Sequence, residues 1–86
     1  MINITDLKKK ILYRSTYRGT KEMDKLLTSF TKKYIDKLDL NDLLLLCDLL
    51  NIDDENLYKF NQGKKTTTKI KMNKISNLFK KFVYEG

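Results

Sequence analysis

At 86 residues the chain has room for one domain with one hydrophobic core and not for two, and a domain this small commits most of its large apolar side chains to packing. It has no proline, three glycines and a net charge of +7, a composition that favours helices over sheet or disorder. With no histidine and a single cysteine, Cys47, a Ser-His-Asp or Cys-His nucleophile, a zinc site and an intramolecular disulfide are all out of reach.

Periodicity predicts five helices joined by short connections, an all-α, small single-domain five-helix bundle over residues 1–86. The first helix starts near Thr5, a reasonable cap, and runs to about Tyr17 with Leu7 and Ile11 on related faces. Gly19 then offers the left-handed conformation that closes many helices. The second runs from about Thr20 to Tyr34, where Met23, Leu26, Leu27, Phe30 and Tyr34 form an apolar stripe at spacings of three and four.

Asp39 caps a third helix over LNDLLLLCDLLN, with Leu40, Leu43, Leu44, Cys47 and Leu50 expected to face inward. Asp53 caps a short fourth, DENLYKFNQ, which buries Leu57 and either Phe60 or Tyr58 and ends at Gly63. GKKTTTK reads as a linker, since threonine forms helices poorly. A last helix is expected from about Thr68 to Phe82, within a basic carboxyl-terminal segment at 68–84, with Ile75, Leu78, Phe79 and Phe82 on one side and lysines on the other.

Charge is unevenly placed. Residues 1–58 hold ten Lys/Arg against ten acids, so the whole excess lies in residues 59–86, while Asp36 to Glu55 carries seven acids and one lysine. Such an alternation can steer a charged partner. A small basic domain also raises a nucleic-acid or regulatory reading, yet 16 of the 18 positive residues are lysine and only Arg14 and Arg18 could read bases or phosphates as arginine does. Binding of nucleic acid is therefore the second reading rather than the first.

The longest apolar run, Leu43 to Cys47, is far shorter than the roughly 20 residues that cross a bilayer. The amino-terminal MINITDLKKKILYRS has no apolar signal core, and its Asp6 and early tyrosine argue against a transit peptide. A lone cysteine suits a reducing compartment, where Cys47 reads as a small buried apolar residue. The expectation is a soluble monomer of a bacterial cytoplasm rather than a mitochondrial matrix.

The stretch YRSTYRGTKEMD, Tyr13 to Asp24, is the part that helix geometry alone does not exhaust. Gly19 stops one helix and Glu22 suits the first turn of the next, where its charge complements the macrodipole. The same residues also suit a docking knuckle: a glycine without a side chain admits another protein's backbone, and flanking Arg18 and Glu22 can make charge-assisted hydrogen bonds to it. Tyr13 and Tyr17 read equally as rim aromatics or as core.

YRSTYRGTKEMDKLLTSF closely resembles the signature of the small flavinator, or assembly-factor, family of succinate dehydrogenase, whose pattern is Arg-Gly, two variable residues, Glu, one variable residue, Asp. Arg18, Gly19, Glu22 and Asp24 hold those places, followed by Leu26, Leu27 and Phe30. The resemblance covers roughly residues 7 to 64, departing from the family pattern at Phe60, where a tryptophan is usual, and just beyond at Lys65, where a proline is common. It implies a helical domain that binds the flavoprotein subunit of succinate dehydrogenase, with fumarate reductase flavoprotein as a further client, and promotes covalent attachment of FAD to that subunit.

On that resemblance Arg18, Glu22 and Gly19 meet the partner, Arg14 and Tyr17 stand beside them, and Asp24 braces an arginine or the helix start. The factor would be no enzyme and would hold neither metal nor FAD, since no glycine-rich phosphate loop is present. An antitoxin-like regulator is a third class, which nothing in the residues favours.

Overall fold

The computed structural model describes residues 3–84, and within them the fold is all-α. Five α-helices follow one another: α1 (Ile4–Thr16), α2 (Lys21–Tyr34), α3 (Leu40–Leu50), α4 (Asp54–Asn61) and α5 (Lys74–Lys81), with a single 3₁₀ turn, Ile35–Lys37, extending the end of α2. No described helix is long and apolar enough to cross a membrane.

Each helix begins on a short polar side chain that satisfies backbone N–H groups its first turn would leave bare. Asn3 does this for α1, Thr20 for α2, Asp39 for α3, Asp53 for α4 and Asn73 for α5. Thr5 is thus not the cap of α1: its own N–H donates to the Asn3 carboxamide at 3.0 Å. The amide oxygen two residues upstream reaches both Thr5 and Asp6.

The core is built where the helix faces converge. Ile11, Leu27, Leu43, Leu46, Leu57, Ile75 and Phe79 are wholly buried. Phe30 of α2 meets Phe79 and Phe82 edge-on, with ring centroids 5.2 and 5.4 Å away, a favourable aromatic arrangement that ties the carboxyl-terminal helix to the second. α1 packs on α2 and α3, and α5 packs on α3 and α4.

A buried polar seam fixes α1 against α2. Ser15 Oγ donates to the Ile11 carbonyl at 2.8 Å and stands 2.7 Å from Thr31 Oγ1. A hydroxyl has one proton, so Thr31 must be the donor of the second bond. Thr28 adds a bond to the Ser15 carbonyl at 3.2 Å.

Three further expectations are corrected. The inward face of α3 is Leu43, Leu46, Leu49 and Leu50, while Leu44 is 41 % exposed and Leu40 and Cys47 are only partly covered. A run of five apolar residues is apolar on every side, so period alone cannot choose its face; the positions of α1 and α5 do. α5 begins at Lys74, not Thr68, because Asn73 and Ser76 form a reciprocal capping box. Residues 64–73 remain irregular, with the Asn56 carboxamide holding Thr67 N–H at 2.8 Å.

The third concerns the glycines. Gly63 takes the positive φ of 73° expected beyond α4, but Gly19 does not. α1 has already ended at Thr16, with Tyr17 as its last cap residue. The reason for a glycine at position 19 therefore lies in its surroundings.

Candidate docking corner

The turn from α1 to α2 carries Arg18 inward. Its side chain is only 12 % exposed. Nε donates to Asp54 Oδ1 at 2.7 Å, one terminal nitrogen to the carbonyls of Arg14 and Leu50 at 3.3 and 3.2 Å, and the other to the Ile52 carbonyl at 3.1 Å. These bonds use four of the five N–H groups of a guanidinium.

The acceptors explain why arginine is needed. Arg14 lies in the last turn of α1 and Leu50 ends α3, so their carbonyls belong to helix ends that lack intrahelical donors. α3 has no basic residue of its own in its last turn, and Arg18 supplies the cation that its dipole favours there. A rigid planar fork reaches all three segments at once, as a lysine could not.

Asp54 completes the clamp. It is the first residue of α4, and its second oxygen, Oδ2, accepts the Gly19 N–H at 2.7 Å. One carboxylate thus holds both the guanidinium and the backbone of adjacent residues. A β-carbon on residue 19 would stand 3.1 Å from that oxygen, closer than ordinary van der Waals contact. Glycine suits this position through the close approach of a carboxylate, not through a special φ; a side chain there would make Asp54 give by a few tenths of an ångström.

Asp24 works from the other side. Its carboxylate accepts the Arg18 backbone N–H, and its own N–H donates to the Thr20 carbonyl at 3.0 Å. The Arg14 guanidinium is half-buried and donates to the Asn51 side chain. Of the six residues singled out in the sequence, Arg14, Arg18 and Asp24 therefore face into the fold and build the corner.

The other three face outward. Gly19 and Glu22 are exposed, and Glu22 forms no ion pair among the described residues. Tyr17 is 70 % exposed and Tyr13 66 %, with ring centroids 4.7 Å apart. Gly19, Glu22, Tyr13 and Tyr17 are thus exposed residues along the end of α1 and the start of α2.

Beside the corner, a hollow of about 350 Å³ opens between the starts of α2 and α4, lined by Thr20, Glu22, Met23, Asp54, Glu55 and Tyr58. Sequence reasoning missed Asp54. The signal available was DDE at positions 53–55: Asp53 suffices to cap the helix, which leaves the next carboxylate without a local duty.

Cys47 lies apart, on α3, where burial is the main cause that pushes its thiol up from the ordinary 9.0, with nearby Arg14 partly opposing it. Among the described residues no group of three or more His, Cys, Asp or Glu side chains could hold a metal ion.

The family model described as flavinator of succinate dehydrogenase matches residues 9–83, past the point near residue 64 where the motif resemblance thins. The chain is 33 % identical over 78 residues to a protein of Culex quinquefasciatus named succinate dehydrogenase assembly factor 2, mitochondrial, an alignment covering 88 % of this chain and 49 % of that one. It thus spans about half the length of the curated relative it matches. No solved structure matches it. With nearly its whole length matched by the family model, the chain belongs to the family of succinate dehydrogenase flavinators.

Proposed function

We infer that the chain is a non-enzymatic assembly factor that binds the flavoprotein subunit of succinate dehydrogenase and promotes covalent attachment of FAD to it. The supporting observation is the corner itself: Arg18 and Asp54 hold Gly19 in place from within, while Gly19 and Glu22 stay accessible from without. Such a surface is organised before a partner arrives, so less ordering is needed on binding.

Glu22 makes the polar contact with the flavoprotein, Gly19 lets the partner's backbone close in, and Tyr13 and Tyr17 cover the rim. Arg18, Arg14 and Asp24 act through the shape of the corner. The reacting groups and the FAD belong to the partner; this chain holds no cofactor. Its binding favours the flavoprotein conformation in which those groups are positioned for attack, a population shift driven by differential affinity.

Fumarate reductase flavoprotein is a second client under the same mechanism. The compartment is that of the client. The mosquito relative is named as mitochondrial, and a matrix setting suits the proposed role as well as a bacterial cytoplasm does.

The test is co-expression with a succinate dehydrogenase flavoprotein subunit, reading covalent flavin as fluorescence of the denatured band. The reading expects clearly more flavin with the chain than with an empty vector. Equal fluorescence in the two would remove it.

A further inference from the structure

The hollow beside the corner does not end there. It shares Glu22 and Tyr58 with a second hollow of about 620 Å³ that continues between α2 and α4 to the segment beyond α5. Together they make one groove leading away from Gly19.

Glu22 lines both hollows, and beyond it the charge is graded along the groove. Asp54 and Glu55 line only the corner end, where Asp54 is held by Arg18 and Glu55 pairs with Lys59 at 3.0 Å. Lys25 and Lys80 line only the far end, both exposed, and neither has an acidic partner among the described residues. Lys80 Nζ sits 5.8 Å above the Phe60 ring, which keeps its charge at the groove. Beside the two cations Val83 is 72 % exposed. Tyr58, common to both hollows, and Gln62 of the far one present polar groups that can hydrogen-bond an extended backbone.

Resting on the function inferred above, we propose that this groove takes an extended segment of the flavoprotein client in which a carboxylate, received by Lys25 and Lys80, is flanked by apolar side chains that cover Phe82 and Val83. Opposite charge and an apolar floor at one end select an acidic, amphipathic segment over a basic one. The corner supplies orientation and the groove supplies length of contact. This gives the lysine-rich carboxyl-terminal region a role on the same face as the motif.

The experiment measures the affinity of the purified chain for the purified flavoprotein subunit by biolayer interferometry, at low and at high salt. Lys25→Glu with Lys80→Glu, and separately Val83→Asp, alter exposed side chains, and circular dichroism checks that the helices persist. Each should raise Kd at least about tenfold, and the charge reversal should flatten the salt dependence seen with wild type. Lys9→Glu with Lys10→Glu makes the same charge change on the exposed side of α1 and should leave Kd within about twofold of wild type.

If the groove variants bind as wild type while Gly19→Arg does not, the groove proposal is overturned and the docking corner stands. Equal weakening by the two lysine pairs also overturns it, in favour of general charge attraction. So does a finding by sedimentation that Val83→Asp splits a dimer of this chain without changing flavoprotein binding, since the occupant is then a second copy. Absence of any binding by wild type removes both the groove and the function on which it rests.

Discussion

Asp54 and Gly19, 35 residues apart in the chain, are joined by a 2.7 Å hydrogen bond from the glycine N–H to the carboxylate. The same carboxylate takes Arg18 Nε at 2.7 Å, so the start of α4 determines where the α1–α2 corner sits. The motif residues are thereby tied to a part of the chain outside the motif. Asp54→Ala leaves a largely buried guanidinium without its counter-charge and should lower stability by about 2–3 kcal/mol. Asp54→Asn keeps an acceptor for one donor and should lose less. Urea unfolding of the two variants, with unchanged m-values, measures both.

Arg18 and Glu22 belong to one motif but should separate in the laboratory. Arg18→Lys cannot span Asp54 and the carbonyls of Leu50 and Ile52 with a single ammonium, so about 1–3 kcal/mol of stability should be lost. Glu22→Ala removes only an exposed first-turn charge, which contributes about 0.3–1 kcal/mol through the helix dipole. Thermal melts should therefore rank Arg18→Lys well below Glu22→Ala. Flavin attachment should fall in both, for different reasons.

The reading from sequence succeeds where local chemistry decides. Asp39 and Asp53 cap their helices, and α4 ends at a Gly63 of positive φ, because backbone N–H groups and sterics need no distant partner to select those residues. It fails where tertiary contacts decide. Leu44 looks as apolar as Leu46, and only the neighbouring helices distinguish them. Arg18 reads as an outward contact because its four acceptors come from residues 14, 50, 52 and 54, three of them far along the chain. Gly19 reads as a left-handed stop for the same reason: the carboxylate that would crowd a β-carbon lies in α4. The Asn73 and Ser76 box that starts α5 lacks the usual Ser/Thr-x-x-Glu/Gln signature, so the sequence reading starts that helix at Thr68 instead.

Acid should weaken the fold through the cap of α4. The Asp53 carboxyl is held below its ordinary 3.8, first by the Asn56 side-chain amide at 2.8 Å and then by the Asn56 backbone N–H at 3.2 Å. A depressed folded value means that the contribution is fully present above the ordinary value and disappears as pH falls through the folded one. The urea midpoint should drop between about pH 5 and pH 2, and less steeply in Asp53→Asn, which still caps the helix but does not titrate.

Cys47 should react slowly. Its thiol is pushed above the ordinary 9.0 chiefly by burial, which reduces the thiolate that attacks alkylating reagents. At pH 8 iodoacetamide should modify the folded chain more slowly than free cysteine, and urea should remove the difference. Because the folded value is raised, the corresponding stability is complete below the ordinary thiol value and declines as pH rises through the folded one.

The central claim is that an exposed edge at Gly19 and Glu22, braced from beneath by Arg18 and Asp54, is where the flavoprotein docks. Co-expression of the subunit with Gly19→Arg and with Glu22→Ala, alongside circular dichroism of the purified variants, tests it most directly. The account predicts that both variants keep wild-type helicity and lose most of the covalent flavin that wild type promotes. Full flavin attachment with both variants would contradict it.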